Sequence, residues 1–200
     1  MVWRRVLVPS TSTLDELHGV IQVAMGWESI HLYQFCLRAA RYGSWELSAS
    51  SPDVTLAALR LRKGARFTYK YDLNIPWRHE VRIENQLGLE AGKAYPICNG
   101  GNGACPPEDC DGPAGFMAER NSMLSLDALN DLGTMTEIIG QVVLERRTDL
   151  LDDEDTRWRL EEAVERSKAR EHAQGRPFSR QTVNAHLGKG EHLDLMHQQC

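Results

Sequence analysis

The sequence predicts an α+β fold: a mixed or antiparallel sheet packed on one main helix, a Cys-rich loop and a helical C-terminal extension. A capping box at Thr13 and Glu16 opens an amphipathic helix that ends at Gly26. Residues 67–72 and 77–84 alternate apolar and polar side chains on either side of a short proline-containing loop. This pattern predicts an antiparallel hairpin, and with the helix it indicates the fold class.

The division of the chain follows from a change in pattern. Predicted strands alternate with two helices before residue 120, whereas the pattern after it is helical almost throughout. We therefore expect an α+β domain over residues 1–120 and a helical extension over residues 121–200. At 42% apolar and 26% charged residues, the composition is that of an ordinary soluble globular protein.

Composition and charge exclude several classes of protein. No apolar run approaches the roughly 18 residues of a membrane span, and no apolar segment of a secretory signal follows the first arginines. We expect a cytoplasmic protein with no membrane partner. The net charge is −5, and residues 71–155 carry most of the negative charge. Only the two ends of the chain could supply a basic stripe for nucleic acid, and neither is strongly basic, so the charge argues against a nucleic-acid binder without excluding one.

The elements of the α+β domain are predicted in chain order. Trp3–Val8 is expected to form a strand that stops at Pro9, and Ile30–Arg38 to form a second strand. A polar turn region over residues 41–53 then leads to a short helix over residues 54–61. In the hairpin, Phe67, Tyr69 and Tyr71 share one face, and the next strand contributes Trp77, His79 and Val81 to its own apolar face.

Two histidines lie on predicted apolar faces. We expect His18, beside the apolar stripe of the first helix, to be a packed histidine. His79 is either a core histidine with satisfied hydrogen bonds or a metal ligand, because the cysteine-rich loop is the next ordered feature in the chain.

The extension is predicted to be helical almost throughout. Residues 124–132 and 135–144 form two helices separated by Gly133, and residues 149–172 form a long charged helix with a thin apolar stripe. Such a helix is typical of a solvated or partner-binding element. Residues 179–187 then form a last short helix, capped by Ser179 and packed inward through Val183 and Leu187.

The segment Tyr95–Phe116 holds three of the five cysteines among glycines and prolines, which predicts a loop rather than a helix or a central strand. Cys98, Cys105 and Cys110 are spaced x6 and x4 apart. Zinc takes four ligands, mostly thiolate and imidazole, and its binding would order such a loop. The fourth ligand would be His79, His31 or Cys36. Free structural thiols and a disulfide are the alternatives.

Two acidic residues lie between Cys105 and Cys110. We expect Glu108 and Asp109 to be turn-forming side chains that bond nearby amides. The chain contains none of the GxSxG, P-loop, GxGxxG or HExxH motifs, so no common catalytic signature is present.

Several stretches, taken together, resemble the plasmid pRiA4b ORF-3-like family over residues 2–116. They are WRRVLVPSTSTLDELHGVIQVAMGW, HLYQF, RFTYKYDL, WRHEVRIE and YPICNGGNGACPPEDC with the following GPAGF. The resemblance implies a compact α+β domain with a strand, the TLDELH helix and a mixed or antiparallel sheet. It also implies a link to plasmids and insertion sequences, and it carries no activity that transfers to this chain.

Three functional hypotheses follow from these patterns. The first is a non-enzymatic binding or adaptor module of a mobile element with a structural zinc loop. The second is a DNA-binding accessory protein whose helix-turn-helix-like segment would present Arg180, Gln181, Asn184 and His186 to the bases. The third is a metal-dependent enzyme with an open position at a three-cysteine site. The partner is an unknown protein or DNA, and a homodimer would form through the C-terminal helices or an open sheet edge.

Overall fold

The structure, a computed structural model, describes residues 1–44, 49–122 and 126–196. The strands are β1 (Trp3–Leu7), β2 (Tyr33–Leu37), β3 (Ala40–Gly43), β4 (Arg66–Tyr71), β5 (Trp77–Arg82) and β6 (Ile97–Asn102). The α-helices are α1 (Leu14–Met25), α2 (Gly112–Ser122), α3 (Leu126–Val143), α4 (Glu154–Ala173), α5 (Arg180–Lys189) and α6 (Glu191–Asp194). A 3₁₀-helix over Thr148–Leu151 precedes α4.

The strands form two antiparallel sheets. The larger has the order β3-β2-β4-β5, and the smaller pairs β1 with β6. Tyr69 of β4 lies opposite Phe35 of β2 on one side and opposite His79 of β5 on the other. The predicted α+β class, antiparallel sheet and hairpin are therefore confirmed.

The core lies between α1 and the larger sheet. Because side chains alternate along a strand, one face of β2 and β4 supplies a continuous set of buried rings. The members of this set, with the buried residues that α1 and the following loop add, are Leu14, Leu17, Trp27, Tyr33, Phe35, Phe67, Tyr69 and Tyr71. Several of them are completely buried, so this layer is the most tightly enclosed part of the molecule.

Helix α1 begins and ends as the sequence predicts. The amide of Glu16 donates to Oγ1 of Thr13 over 3.1 Å, and Gly26 ends the helix in the left-handed conformation with φ of 75°. His18 is 0% exposed, which confirms that it is a packed histidine.

The segment Tyr95–Phe116 is only partly a loop, and this corrects the prediction. Its first part is β6, which sits at a sheet edge where a glycine-rich strand is tolerated. Glycine fits at position 101 because the side chains of Arg4 and Phe178 pack directly over it and would collide with a Cβ atom. Its last part begins α2 at Gly112, and Pro113 fits the first turn of a helix, where no amide donor is needed.

Residues 54–61 form turns rather than the predicted helix. The amide of Leu14 donates to the carbonyl of Val54, and the amide of Leu56 donates to the carbonyl of Ser12. The carbonyl of Val54, which would accept a hydrogen bond within a helix, is thereby used by the start of α1. Strand β3 lies within the predicted polar turn region, of which residues 45–48 fall outside the described residues.

Helix α3 runs through Gly133 without a break, so the two helices predicted here are one. A single glycine lowers helix stability without ending a helix whose other residues favour it. The first residues of the predicted helix, 124 and 125, lie outside the described residues. Helix α4 starts at Glu154, later than predicted, with Asp153 as its cap.

The last two helices pack against the α+β elements. Val183 and Leu187 of α5 share a cluster with Val20 and Val23 of α1 and with Cys98 of β6. We call β1–β6, α1, α5 and α6 the body, and α3 with α4 the α3–α4 hairpin. The domain division at residue 120 stays a prediction.

Candidate functional site: predicted ligands and an exposed helix face

The three predicted thiol ligands are buried. Cys98 lies in β6, while Cys105 and Cys110 follow it before α2, and they are 1%, 3% and 8% exposed. Cys105 is held by backbone hydrogen bonds in both directions with Arg176, at 2.9 and 3.0 Å. These cysteines and Cys36 are free thiols, so the disulfide alternative is not formed among the described cysteines.

The thiols divide between two packing clusters. Cys105 and Cys110 belong to the aromatic core, whereas Cys98 packs with α1 and α5. Arg4 lies close enough to Cys98 and Cys105 to offset part of the rise in pKa that burial causes at each thiol. Among the residues that the structure describes, no group of three or more His, Cys, Asp or Glu side chains is placed to hold a metal ion.

Burial makes these thiols weak acids. It raises the pKa of Cys105 to about 12, although Arg4 and Arg176 act in the opposite direction. Burial also raises the pKa of Cys98 and Cys110. Since a thiolate is the nucleophile and the metal ligand, these cysteines are protonated at neutral pH and a metal would have to displace their protons.

His79 is enclosed by aromatic rings. Its ring centroid lies 5.5 Å from that of Trp27, edge-on at 88°, and 5.5 Å from that of Tyr69. Its Nε2 is buried and has no hydrogen-bond partner among the described residues, and burial lowers its pKa to about 4. A neutral imidazole can ligate a metal, but the cysteines are not gathered around it.

The other two proposed fourth ligands lie in the β2 region. The ring of His31 lies against that of Tyr71, with 5.6 Å between the ring centroids. The Cys36 thiol donates to the side-chain carbonyl of Gln34 over 3.5 Å. Neither joins the three cysteines in a group of metal donors.

A buried polar network around His18 is the feature that sequence reasoning missed. Its Nδ1 lies 2.7 Å from the Tyr69 hydroxyl and its Nε2 lies 2.9 Å from Oγ of Ser29. Gln22 donates to the same Tyr69 hydroxyl over 2.8 Å and accepts from the Ser29 amide over 3.2 Å. His18 and Gln22 are one helical turn apart on α1, and that spacing of two polar residues beside an apolar stripe was the available signal.

The polar groups of the network are enclosed and bonded to one another. The His18 ring stacks on Tyr33 with a centroid separation of 3.8 Å, and both ring nitrogens have partners. Burial lowers the pKa of His18 to about 3 and raises that of Tyr69, so both are neutral at physiological pH.

Glu108 is not a local turn former, which corrects that expectation. Its carboxylate accepts hydrogen bonds from the amides of Glu28 and Ile30, at 2.7 and 3.3 Å, and from the Tyr71 hydroxyl. Nearby, the indole of Trp27 donates to the carbonyl of Pro106 over 2.9 Å. These bonds tie the cysteine segment to the loop that follows α1.

The predicted base-reading helix is α5, and two of its four candidate side chains are bound within the chain. The Asn184 carboxamide accepts from the Cys98 amide over 2.7 Å and donates to the Cys98 carbonyl over 3.0 Å. His186 pairs with Glu191. Arg180 and Gln181 are exposed. The cap at Ser179 and the burial of Val183 and Leu187 are as predicted.

Ion pairs join α3 to α4 on the inner side of the α3–α4 hairpin. Asp131 is 5% exposed and pairs with Arg166 at 2.8 Å and with Arg170. Hydrogen bonds from Arg166, then from Arg170, lower the pKa of Asp131 to about 2. Ile138, two turns further along, is also buried.

A second row of α3 is exposed. Its residues are spaced alternately by three and four positions and lie beside the buried residues Asp131 and Ile138. We call this row the α3 face, and its members are Leu129, Leu132, Thr136, Ile139 and Val143. Its large apolar members, Leu129, Leu132, Ile139 and Val143, are 66%, 57%, 52% and 64% exposed. A contiguous apolar surface of this kind is typical of a binding site. None of the described helices is both long and apolar enough to cross a membrane.

Comparisons with known proteins find relatives without an assigned role. The chain is 38% identical over 122 residues to the uncharacterized protein y4hQ of Sinorhizobium fredii (strain NBRC 101917 / NGR234). The match covers 58% of this chain and 62% of y4hQ, so the chain spans about six-tenths of the length of that relative. The crystal structure of protein MM3350 of unknown function from Methanosarcina mazei Go1 is similar, with a TM-score of 0.56 and 29% identity over 62% of this chain and 74% of that one.

The family model described as plasmid pRiA4b ORF-3-like protein matches residues 1–143, which confirms the resemblance and extends it beyond residue 116. The matched region ends where α3 ends, so α2 and α3 lie within it and α4 lies outside. The chain belongs to the plasmid pRiA4b ORF-3-like family.

Proposed function

We propose that this chain is a non-enzymatic binding module, and that it binds a protein through the α3 face. The observation that carries the proposal is the exposure of Leu129, Leu132, Ile139 and Val143 by more than half of each side chain. Burying such side chains against a partner is favourable by about 25 cal/mol for each Å² removed from water. Linkage to mobile elements is a further part of the proposal, and its support is the name of the family.

The chemistry of the body supports binding over catalysis. His18 has both ring nitrogens hydrogen-bonded in the core, and the thiols of Cys98, Cys105 and Cys110 are buried and protonated. A general base or nucleophile needs access to a substrate and a pKa suited to its task, and these groups have neither.

The DNA-binding alternative has weaker support. The Asn184 carboxamide is occupied by the backbone of Cys98, and His186 is paired with Glu191. Helix α5 also packs on β6 and α1, and the net charge of the chain is −5. Of the four candidate side chains, only Arg180 and Gln181 are classed as exposed, which leaves a small surface for contact with bases.

Zinc bound by Cys98, Cys105, Cys110 and His79 stays a separate prediction. Cys105 and Cys110 pack in one cluster, which supports two ligands of the set, while Cys98 packs in the other. Elemental analysis of protein never exposed to chelator tests it. About one equivalent of zinc would support the prediction, and less than about a tenth of an equivalent would contradict it.

A photo-crosslinking experiment tests the binding role. A photoreactive phenylalanine analogue replaces Ile139 on the α3 face in the full-length chain, produced in its native host. The matched control places the same analogue at Arg159, an exposed residue of α4. We expect protein adducts from position 139 that are absent from position 159. Equal labelling from both positions, or none from either, would overturn the proposed binding surface.

A further inference from the structure

The outer face of the larger sheet, on the side away from the core, carries a cluster of positive charge. Side chains alternate along each strand, and one set is buried in the aromatic core, so the other set lies on this outer face. Strands β3, β4 and β5 together place five cations there, and we call this surface the basic sheet face: Arg41, Arg66, Lys70, Arg78 and Arg82. The four arginines are exposed and Lys70 is half-buried.

The pairing of β4 with β5 sets like charges side by side. Lys70 lies directly opposite Arg78. At the other end of the same pair of strands, Arg66 lies directly opposite Arg82. Like charges in opposite positions destabilise a sheet, so this arrangement opposes folding, and a bound anion would relieve the repulsion.

Little negative charge balances these cations. Glu80 is the acidic residue that β5 places on the same face, and it pairs with Arg66 at 2.8 Å. Two carboxylates flank the strands: Asp72 accepts from amides of the loop that follows β4, and Glu84 pairs with Arg5. Within the described part of the chain, no ion pair is formed by the other four cations of the face, Arg41, Lys70, Arg78 and Arg82. Positive charge is therefore concentrated on this face, although the net charge of the chain is −5.

The other side chains of the basic sheet face are small or polar. They are Gln34 and Cys36 of β2, Gly43 of β3 and Thr68 of β4. The described strands place no aromatic ring on this face. Protein interfaces rely on aromatic and apolar residues at their centre, and single-stranded nucleic acids stack their bases on aromatic rings. Arginine, lysine and threonine side chains are instead the usual contacts to the phosphates of a duplex.

We infer that the basic sheet face binds the phosphate backbone of double-stranded DNA without reading its sequence. RNA recognition uses stacked bases and hydrogen bonds to the 2′-hydroxyl group. This face offers no ring for stacking, and its carboxylate is engaged by Arg66. The sheet face is formed by different elements from the α3 face, so this inference goes beyond the proposed binding role and does not depend on it.

The first test is the salt dependence of DNA binding. Fluorescence anisotropy with a labelled duplex of arbitrary sequence measures the association constant of the full-length chain at several salt concentrations. We expect binding at low salt, and a slope of about −3 to −4 when the logarithm of that constant is plotted against the logarithm of salt concentration. The reason is that each cation placed at a phosphate contributes about −0.9 to the slope.

The second test removes two cations of β5. Arg78→Gln with Arg82→Gln should weaken DNA binding about tenfold and make the slope shallower by about 2. The matched control, Arg157→Gln with Arg159→Gln, removes the same charge from exposed positions of α4 and should bind DNA as the unchanged chain does. The β5 variant should unfold at the same temperature as the unchanged chain or at a higher one, because it removes like-charge pairs.

Several outcomes would overturn the inference. They are no binding at low salt, a slope near zero, or an equal loss of binding in the two double variants. Tighter binding to a single strand or to an RNA duplex of the same sequence would also overturn it, as would displacement of the DNA by polyglutamate at equal charge, which would indicate an acidic protein instead. The adducts expected from position 139 do not depend on any of these results.

Discussion

The body and the α3–α4 hairpin differ in how far their large apolar side chains are buried. In the body, Phe35, Tyr69 and Tyr71 are completely buried between α1 and the larger sheet. In α3, Leu132 and Ile139 remain more than half exposed although the helix is regular and packs on α4. The body therefore buries these aromatic side chains within the chain, whereas the hairpin leaves one row of α3 exposed.

The polar groups show the same contrast. The body encloses a histidine, a glutamine, a serine and a tyrosine that hydrogen-bond one another, and it excludes water from them. The hairpin encloses the carboxylate of Asp131, which pairs with Arg166 and Arg170. A closed hydrogen-bond network rigidifies a core. The ion pairs of Asp131 join α3 to α4 and leave the α3 face exposed. The difference places the enclosed core in the body, and under the proposed function the binding surface lies in the hairpin.

Truncating one large side chain in each region should give the largest difference in the free energy of unfolding between the body and the hairpin. Phe35→Ala should lower the free energy of unfolding by about 3–5 kcal/mol, because it leaves a cavity in a closed core. Leu132→Ala should change it by about 0.5 kcal/mol or less, since the side chain is exposed. Urea denaturation at a concentration that keeps the chain monomeric measures both. Similar losses for the two variants would show that α3 is covered within its own chain.

Acidification should destabilise the body through its buried histidines. The pKa of His18 is about 3 and that of His79 about 4 in the folded chain, against 6.5 for each when unfolded. As the pH falls below about 6.5, the unfolded state binds protons that the folded state does not, so stability present at neutral pH is lost. The loss is on the order of 1 kcal/mol per pH unit for each histidine, down to those lower values.

Urea midpoints between pH 7 and pH 4.5 test this dependence. His79→Leu should reduce the slope, while His172→Gln, at an exposed position of α4, serves as the matched control. A wild-type midpoint that does not move between pH 7 and 5 would contradict the burial of both rings.

Glycine-to-alanine substitutions should have opposite signs in the two regions. Gly19→Ala should destabilise the chain by about 1–3 kcal/mol, because a methyl group there collides with the carbonyl of His192 in α6. Gly133→Ala should stabilise the monomer by about 0.5–1 kcal/mol, since the space around it is open and alanine favours a helix. Thermal unfolding measures both changes. A gain at Gly19 would show that α6 does not pack on α1 in solution.

Removing the amide that joins α5 to β6 should have the smallest effect. Asn184→Ala should lower the free energy of unfolding by about 1 kcal/mol, because the backbone of Cys98 loses both of its side-chain partners. Asn130→Ala on exposed α3 is the control and should be neutral. Should Asn184→Ala leave stability unchanged and abolish DNA binding, the base-reading hypothesis for α5 would regain its support.

Local patterns predicted much of the fold. The capping box at Thr13, the alternation through Tyr69 and His79, and the inward spacing of Val183 and Leu187 each depend on neighbours in the chain, and each is confirmed. The turns at residues 54–61 were not predictable in the same way, because their hydrogen bonds go to the distant start of α1. The hydrophobic periodicity of a long helix also does not indicate which of its sides packs against another element.

The candidate site was the least predictable feature. Sequence spacing groups Cys98, Cys105 and Cys110, yet the fold places Cys98 in a different cluster from the other two. Glu108 lies next to them in sequence, but its carboxylate bonds to amides that follow α1. Distances along a loop do not determine distances in space when β6 pairs with one element and the following residues pack on another.

The sequence by itself determined the α+β class, the family, the capped helix α1 and the hairpin of β4 and β5. These follow from hydrophobic period and capping chemistry, which act between residues a few positions apart. Only the tertiary structure decided that His18 closes a buried network, that α5 and α6 pack on α1, and that one row of α3 is left exposed. Each of these is a pairing between distant segments, and it depends on which surfaces the whole chain can bury at once.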